Sequence, residues 1–222
     1  TNVDKCEIER EDCWQANVVA TDNVVTGANY CDAKLIFIST DYIFDGISGP
    51  YTEEDTPNPI SYYGKSKLAA ENLIRGSRVP NSIVRTIVLY GVGIGLKASF
   101  VGWLLRELRE ERTVNIVNDQ RGNTTIVDDL VRGIDRIISL KKTGIYNVGG
   151  SEHLSRYDFA IEVAKHFDLR TDLIKPITTE RLGLPARRPL LSGLDTSKAE
   201  RELFISFYDV PQSLAIYQQQ DQ

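Results

Sequence analysis

Two observations predict an α/β fold with a mainly parallel, doubly wound sheet. Segments with strand and helix periodicity alternate along the 222 residues, and the strand-like segments are apolar at consecutive positions, as in Leu35-Ile36-Phe37-Ile38. Alternation of this kind is typical of βαβ units. Strands that are apolar on both faces belong in parallel sheets covered by helices on both sides. The sequence therefore predicts helices above and below one buried sheet.

The first half of the chain contains two of these buried strands. Residues 11–30 place Trp14, Val18, Val25 and Ala28 at three- and four-residue steps, which indicates an amphipathic helix. Glycines and prolines interrupt residues 45–59, and this segment is predicted to be a loop. The predicted elements are a helix over 11–30, a strand over 34–39, a loop over 45–59, a helix over 61–75 and a strand over 82–90.

The second half continues the alternation and then weakens. Ser155 with Asp158 predicts the first turn of a capped helix. The predicted elements are a helix over 99–112, a strand over 113–117, a polar turn over 118–125, a helix over 127–140, a strand over 144–148, a helix over 155–167, a short strand after residue 173, a loop over 181–189, short helices over 197–203 and 211–217, and a frayed terminus over 218–222.

Composition excludes several classes of function. The chain has 26 basic and 31 acidic residues, a net charge of −5, which argues against a nucleic-acid-binding surface. Its apolar runs are too short to span a membrane and its first residues do not resemble a signal peptide, so we expect a cytoplasmic protein. Cys6, Cys13 and Cys31 form no CxxC pair and are interpreted as reduced packing residues. His153 and His166 have no third ligand nearby, so no metal site is expected.

The strongest chemical motif is Tyr63-Gly64-Lys65-Ser66-Lys67. Tyr63 and Lys67 are four residues apart in a predicted helix and therefore lie on one face. A phenol has an ordinary pKa near 10, and a neighbouring ammonium favours the phenolate. We expect Lys67 to lower the pKa of Tyr63 and make it a usable acid or base. A YxxxK motif alone is weak evidence for a catalytic site, because the same spacing also occurs in helices whose Tyr and Lys are simply solvated.

A second motif strengthens this interpretation. The apolar strand ending at Ile38 runs directly into Ser39-Thr40-Asp41. Ligands of open parallel sheets bind beyond the carboxyl ends of the strands, so these hydroxyls are expected to face a crevice. Thr40 can hydrogen-bond the same substrate oxygen that Tyr63 protonates. For Ser39 a simple turn or capping role remains an alternative.

These motifs, in this order, resemble those of a known family. The matching segments are Ser39-Thr40-Asp41-Tyr42-Ile43-Phe44-Asp45-Gly46, Pro57-Asn58-Pro59, Tyr63-Gly64-Lys65-Ser66-Lys67-Leu68, Arg85-Thr86, Asp119-Gln120 and Arg188-Pro189. They resemble the extended short-chain dehydrogenase/reductases, and within these the dTDP-4-dehydrorhamnose reductase group. The resemblance implies a Rossmann-like doubly wound sheet and a cytoplasmic reductase that passes hydride from NADPH or NADH to a nucleotide-linked 4-keto-6-deoxysugar. The assembly we expect is a homodimer.

The resemblance also implies roles for individual residues. Thr40, Tyr63 and Lys67 would be catalytic, with Tyr63 as the proton donor, Thr40 orienting the carbonyl and Lys67 holding the nicotinamide ribose. The cofactor would contact Ser39, Tyr63, Lys67, Arg85 and Thr86. The substrate would contact Asp41, Phe100, Gln120 and Arg188. For Arg85 a structural salt bridge is the alternative. Independently of the resemblance, Arg187-Arg188 is interpreted as a clamp on the substrate pyrophosphate, since guanidinium forks suit phosphate oxygens, and a plain solvated loop is the alternative. Val88 stands where the reductases have an aromatic residue.

The resemblance further implies two lobes and an incomplete cofactor domain. Residues 1–92 and 126–150 would form the dinucleotide-binding lobe, and residues 93–125 and 151–222 the substrate lobe. Family members begin with a strand, a GxxGxxG turn and a helix that binds the cofactor pyrophosphate. None of these is present in the sequence, so we expect an N-terminally truncated lobe. The glycine-rich segment 91–95 is interpreted as a mobile substrate-side loop.

Two other functions remain open. A sugar-nucleotide epimerase or dehydratase of the same superfamily would regenerate its cofactor rather than consume it. A non-catalytic regulatory subunit, like that of methionine adenosyltransferase, would share the fold without the reaction. The Thr40, Tyr63 and Lys67 set favours catalysis over the second alternative.

Overall fold

The centre of the molecule is a three-stranded parallel sheet. A computed structural model describes residues 2–93 and 99–221. In it, β1 (Leu35–Thr40) pairs with β2 (Asn81–Thr86), and β2 pairs with β7 (Gly144–Val148), giving the order β1-β2-β7. The register places Thr40 opposite Thr86, so the carboxyl ends of β1 and β2 meet at one edge. The parallel sheet predicted from the apolar runs is confirmed.

Helices cover this sheet, and most of them agree with the sequence periodicity. In chain order they are α1 (Val3–Ile8), α2 (Arg10–Trp14), α3 (Ala20–Tyr30), α4 (Tyr62–Gly76), α5 (Phe100–Arg109), α6 (Val127–Ser139), α7 (Arg156–His166), α8 (Ser197–Leu203) and α9 (Val210–Gln220). A π-helical segment, Gln15–Val19, connects α2 to α3 without a break. Ser155 caps α7 by accepting a hydrogen bond from the Asp158 amide, as the sequence predicts.

The remaining strands form small two-stranded sheets around the central one. These strands are β3 (Leu89–Tyr90), β4 (Val114–Val117), β5 (Arg121–Asn123), β6 (Thr125–Ile126), β8 (His153–Ser155) and β9 (Ile174–Ile177). β3 pairs with β6 and β4 with β9, both in parallel, whereas β5 and β8 are antiparallel. Single-turn 3₁₀ segments occur at Asp41–Ile43, Thr171–Leu173 and Thr179–Leu182.

The predicted strand over 82–90 is wrong as one continuous element. β2 ends at Thr86, and Val88 adopts φ 47°, in the left-handed region. This conformation is sterically unfavourable for a β-branched residue, and it interrupts the regular pairing of the strand. The chain then resumes as β3 and pairs with β6 instead. The break turns the backbone between β2 and β3.

Other segments also differ from the periodicity. The polar turn predicted over 118–125 contains β5 and the start of β6, which gain their stability from distant partners that local periodicity does not reveal. The predicted loop over 181–189 begins inside the 3₁₀ segment Thr179–Leu182. The frayed terminus is wrong for residues 218–220, because α9 continues to Gln220, whose side-chain amide donates to Asp128. Part of the glycine-rich loop, residues 94–98, lies outside the described residues.

Two of the three cysteines are packing residues, as predicted. Cys6 and Cys13 are buried, but Cys31 is exposed at the end of α3, so the packing interpretation is wrong for Cys31. The largest apolar cluster packs α5, α7 and α9 together around Leu104, Phe159 and Leu214. Within residues 2–93 and 99–221, no helix combines the length and apolar character that crossing a membrane requires.

Candidate active site

Hydroxyl groups line the carboxyl edge of the central sheet. Ser39 and Thr40 end β1, and Thr86 ends β2 directly opposite Thr40. The hydroxyls of Ser39 and Thr86 are buried, and within the described part of the chain neither has a hydrogen-bond partner. Buried polar atoms without a partner are costly and uncommon. These two atoms therefore suggest a place where a ligand supplies the missing hydrogen bonds.

Helix α4 brings Tyr63 and Lys67 to the same edge. Ser61 caps the helix through the Gly64 amide at 3.2 Å, and Glu7 accepts a hydrogen bond from the Tyr62 amide at 2.9 Å. Gly64 lies against the carbonyl oxygen of Tyr42, where a Cβ atom would overlap with the backbone. The glycine thus permits the close approach that places the first turn of α4 beside the end of β1.

These side chains line one cavity of about 550 Å³. This volume lies in the range of sites that hold small molecules. Of the predicted site residues, those that line the cavity are Ser39, Thr40, Asp41, Tyr63, Lys67, Thr86 and Gln120. The structure therefore gathers all three predicted catalytic residues, two further predicted cofactor contacts and two predicted substrate contacts around one space.

The structure does not show the expected lowering of the Tyr63 pKa by Lys67. Burial raises the pKa of Tyr63 to about 12, and the Thr40 hydroxyl acts in the opposite direction through a hydrogen bond. Asp41 and Tyr42 raise the pKa further. The expectation of a lowered pKa is wrong here because desolvation of the phenolate outweighs the favourable contacts. Tyr63 is therefore a protonated phenol at neutral pH.

Lys67 is held on the sheet side of the helix. Its Nζ donates to the carbonyl oxygen of Ile38 at 2.7 Å and lies 3.9 Å from the centre of the Phe37 ring. Burial lowers the pKa of Lys67 to about 8, and Glu71 acts in the opposite direction. One of the three N–H donors of the ammonium is used by the Ile38 carbonyl, so two remain for a ligand.

Asp41 is a fully enclosed carboxyl group beside Thr40. The Thr40 hydroxyl donates to one carboxyl oxygen at 3.0 Å, and the Ser192 hydroxyl donates to the other. Burial raises the pKa of Asp41, although both hydrogen bonds and the nearby Arg156 oppose this effect. The carboxyl group is thus linked to the catalytic edge through Thr40 and to the segment after residue 189 through Ser192.

Three predicted contact residues do not line the cavity. Arg85 forms a buried ion pair with Glu71, because side chains alternate along β2 and Thr86 takes the cavity face. Phe100 packs against Trp103 and Phe159 at the start of α5. In this conformation Arg85 and Phe100 are therefore not placed for their predicted contacts with cofactor and substrate. The structure has Arg85 in a salt bridge, the alternative given for it above.

Arg188 is the third of these residues. Its guanidinium pairs with Asp4 at 2.7 Å and donates to the Ala186 carbonyl oxygen. Gln120 lines the cavity, but its side-chain amide donates to the Thr179 hydroxyl at 2.9 Å. Both predicted substrate contacts therefore already have partners within the protein.

The structure also adds residues that sequence reasoning missed. Arg156 and Ser192 line the cavity, and Val88 reaches its wall with strained backbone. Arg156 had a sequence signal, since it follows the predicted cap residue Ser155, but nothing local indicated that this end of α7 faces the sheet edge. Within the described residues, no group of three His, Cys, Asp or Glu side chains is placed to hold a metal ion.

Comparison with known proteins identifies the family of this chain. The RmlD substrate binding domain family matches residues 1–220. A crystal structure of dTDP-4-dehydrorhamnose reductase from Bacillus anthracis in complex with NADP is similar to this chain with a TM-score of 0.92 and 31% identity. The similarity covers 98% of this chain and 76% of that one.

Two curated relatives bear different names. The spore coat polysaccharide biosynthesis protein SpsK of Bacillus subtilis is 33% identical over 87% of this chain and 67% of its own length. The methionine adenosyltransferase 2 subunit beta of Rattus norvegicus is 33% identical over 89% of this chain and 60% of its own length. The chain thus spans about two thirds or less of the length of these two relatives.

Proposed function

This chain belongs to the RmlD substrate binding domain family of extended short-chain dehydrogenase/reductases, and we propose that its protein is an NAD(P)H-dependent reductase of a nucleotide-linked 4-keto-6-deoxysugar. The observation that supports this most directly is the shared cavity of Thr40, Tyr63 and Lys67 at the carboxyl edge of a parallel sheet. A proton donor, a second hydroxyl and a cation there meet the needs of carbonyl reduction.

The residues present fit a nicotinamide cofactor. The hydroxyls of Ser39 and Thr86, which have no hydrogen-bond partner among the described residues, lie at the ends of neighbouring strands, where ligands of doubly wound sheets bind. Lys67 has two N–H donors to offer the hydroxyls of a ribose. When bound, the cofactor supplies the hydride. Ser39, Thr86 and Lys67 are the residues that would hold it in this chain.

Tyr63 provides the proton in this proposal. Reduction of a carbonyl leaves an alkoxide, and an alcohol is about as weak an acid as water, whose pKa is roughly 15.7. A phenol with a pKa of about 12 is still several orders of magnitude more acidic, so its proton moves to the alkoxide downhill. The raised pKa also keeps Tyr63 protonated across the neutral range, which a donor requires.

Thr40 orients the substrate oxygen. A hydroxyl has one proton to donate, and in this structure the Thr40 proton goes to Asp41 at 3.0 Å. With substrate present, the hydroxyl would turn from Asp41 to the carbonyl oxygen, where it stabilises the developing negative charge. Ser192 then continues to donate to Asp41, so the buried carboxyl group does not lose both of its partners.

The wider organisation belongs to the same proposal. Residues 1–92 and 126–150 form the cofactor lobe, and residues 93–125 and 151–222 form the substrate lobe. The apolar cluster around Leu104 and Phe159 supports a separate substrate lobe, because all but two of its buried members, Tyr90 and Ile126, come from residues 93–125 and 151–222. A cytoplasmic homodimer is the proposed assembly. Light scattering after size-exclusion chromatography measures its mass directly.

The test compares two neighbouring tyrosines in the complete protein. Tyr63→Phe removes the proton donor, and we expect turnover of dTDP-4-dehydrorhamnose, followed by loss of NAD(P)H absorbance, to fall about 10²- to 10⁴-fold. Tyr62→Phe is the control, because Tyr62 packs under Arg10 outside the cavity. If Tyr63→Phe retained wild-type turnover, the proposal would be wrong.

A second candidate follows from the relative named methionine adenosyltransferase 2 subunit beta. In that case the protein would bind and regulate a partner enzyme rather than reduce a sugar. Absence of turnover on any 4-ketosugar, together with co-purification of a methionine adenosyltransferase, would favour this role. An epimerase or dehydratase is separated by stoichiometry, because only a reductase oxidises one NAD(P)H for each sugar converted.

A further inference from the structure

Among the described residues, one cation of the cavity has neither a hydrogen-bond partner nor an ion-pair partner. Arg156, the first residue of α7, lines the cavity. Its backbone amide is fixed by the Gln120 carbonyl oxygen at 3.0 Å. The guanidinium, by contrast, takes part in no hydrogen bond and no ion pair among residues 2–93 and 99–221. Lys67, the other half-buried cation of the cavity, donates a hydrogen bond to the Ile38 carbonyl oxygen.

The charges around Arg156 do not neutralise it. Burial lowers its pKa, the phenol of Tyr42 and the carboxyl group of Asp41 act to raise it, and Arg188 acts to lower it. Asp41 is itself buried with a raised pKa, and its two oxygens already accept hydrogen bonds from Thr40 and Ser192. A desolvated guanidinium with unused donors is unfavourable unless an anion occupies the space in front of it.

One aromatic side chain lies beside the guanidinium. The central carbon of the guanidinium lies 5.8 Å from the centre of the Phe100 ring, within range of a cation–π contact. A cation–π contact is not a hydrogen bond to an oxygen, so the N–H groups remain available for an anion. These groups form a rigid fork that matches two oxygens of a phosphate.

We propose that Arg156 binds the diphosphate group of the nucleotide sugar. This assignment rests on the proposed function and adds to it the residue that anchors the charged part of the substrate. Thr40 and Tyr63 act on the sugar at the β1 and α4 wall of the cavity, whereas Arg156 stands on the wall formed by β5, β8 and the start of α7. The substrate would span the two walls.

Phe100 gains a role through the same geometry. Its ring does not line the cavity, but it supports the guanidinium that does. It is therefore a positioning residue in this proposal.

Arg188 is the competing anion-binding residue. Its Nη2 lies 2.7 Å from Asp4, and its Nη1 donates to the Ala186 carbonyl oxygen. Asp4 also accepts a hydrogen bond from the Ala186 amide, so this cluster fixes the segment before Pro189 to the amino-terminal helix. The geometry thus assigns Arg188 to holding this segment and Arg156 to the phosphate oxygens.

The experiment measures nucleotide binding by the complete protein rather than turnover. Calorimetric titration with dTDP, and displacement titration with uncharged thymidine, are compared in wild type, Arg156→Gln and Arg156→Lys. We expect Arg156→Gln to weaken dTDP binding about 10- to 100-fold, as loss of hydrogen bonds to a charged group implies, without weakening thymidine binding. Arg156→Lys keeps the charge but not the fork, and is expected to restore part of the affinity.

Two further variants make the result specific. Arg170→Gln removes the same charge from an exposed pair with Asp172, and we expect wild-type affinity for dTDP. Arg188→Gln tests the competing site, and thermal unfolding followed by circular dichroism verifies that each variant is folded.

Three results would overturn the assignment of Arg156. They are unchanged dTDP affinity in Arg156→Gln, no dTDP binding by wild type, and loss of the phosphate contribution only in Arg188→Gln. Failure of the proposed function is a separate result. A protein that binds dTDP through Arg156 yet reduces no 4-ketosugar keeps this assignment and loses the reductase proposal.

Discussion

Arg85 and Glu71 form a two-pronged ion pair beneath helix α4. The Nη2–Oε2 distance is 2.8 Å and the Nε–Oε1 distance is 3.1 Å, and the side chains are 1% and 0% exposed. Arg85 also donates to the carbonyl oxygen of Glu53. The pair joins the middle of α4, which presents Lys67 one turn before Glu71, to the central strand β2.

Removal of one partner of this pair leaves a buried charge without compensation. We expect Glu71→Gln to lower the free energy of unfolding by about 3–5 kcal/mol, measured by urea denaturation. The combination of Arg85→Met with Glu71→Leu should cost less than Glu71→Gln alone, because no charge then remains buried. Glu9→Gln disrupts the exposed pair with Lys5 and serves as the control, with little expected change. Equal midpoints for Glu71→Gln and Glu9→Gln would contradict this account.

The close approach at Gly64 gives a second prediction. A Cβ atom there would overlap with the Tyr42 carbonyl oxygen, so the first turn of α4 must move away from β1 in Gly64→Ala. We expect a loss of about 2 kcal/mol or more in unfolding free energy, by the overpacking mechanism. In Gly76→Ala, at the other end of the same helix, the new Cβ atom meets no atom of the described residues within 4 Å, and the variant should be neutral or slightly stabilising. If both variants unfold at the same denaturant concentration, the contact with Tyr42 does not constrain α4.

Lys67 gives a prediction about pH and stability. Its pKa is about 8 in the folded protein, against an ordinary value of 10.5, so burial of the cation opposes folding below pH 8. We therefore expect Lys67→Met to raise the free energy of unfolding at pH 7 by on the order of 1–3 kcal/mol, while turnover is lost. Between pH 8 and 10.5 the unfolded chain holds more protons than the folded one, so stability of the wild type rises with pH and its deficit relative to Lys67→Met shrinks.

Urea titrations at pH 7, 8.5 and 10 measure this change. Lys65→Met is the matched control, because Lys65 is exposed on the same helix and its replacement should produce no gap that varies with pH. A Lys67→Met variant that is less stable than the wild type at pH 7 would show that the hydrogen bond to Ile38 outweighs desolvation.

The catalytic set was predictable from the sequence because its signals are local. Tyr63 and Lys67 share a helix face through their four-residue spacing, and Thr40 follows an apolar run that predicts a strand. The meeting of these segments follows from a general rule, since the carboxyl ends of parallel strands share one edge. The central strands and most of the helices were predictable for the same reason, because their hydrophobic periodicity is also a local signal.

Properties that depend on the surroundings were not predictable. The pKa of Tyr63 rises rather than falls, because it depends on burial by residues distant in the sequence. Arg85 follows the family pattern, yet its side chain lies on the face of β2 opposite Thr86 and pairs with Glu71. The left-handed backbone of Val88 runs against its own propensity, so only the packing around it can impose the break between β2 and β3.

By itself, the sequence determined the α/β class, the course of most helices and the identity of Thr40, Tyr63 and Lys67 as a chemical group, because each depends on spacing within one segment. The tertiary structure alone decided that Arg156 lines the cavity and that Arg188 does not. Arg188 and Arg156 are indistinguishable as residues, but one meets Asp4 and the other meets the Phe100 ring. The physical reason is that a charge takes its function from its solvation and its partners, and folding sets both through contacts between distant segments.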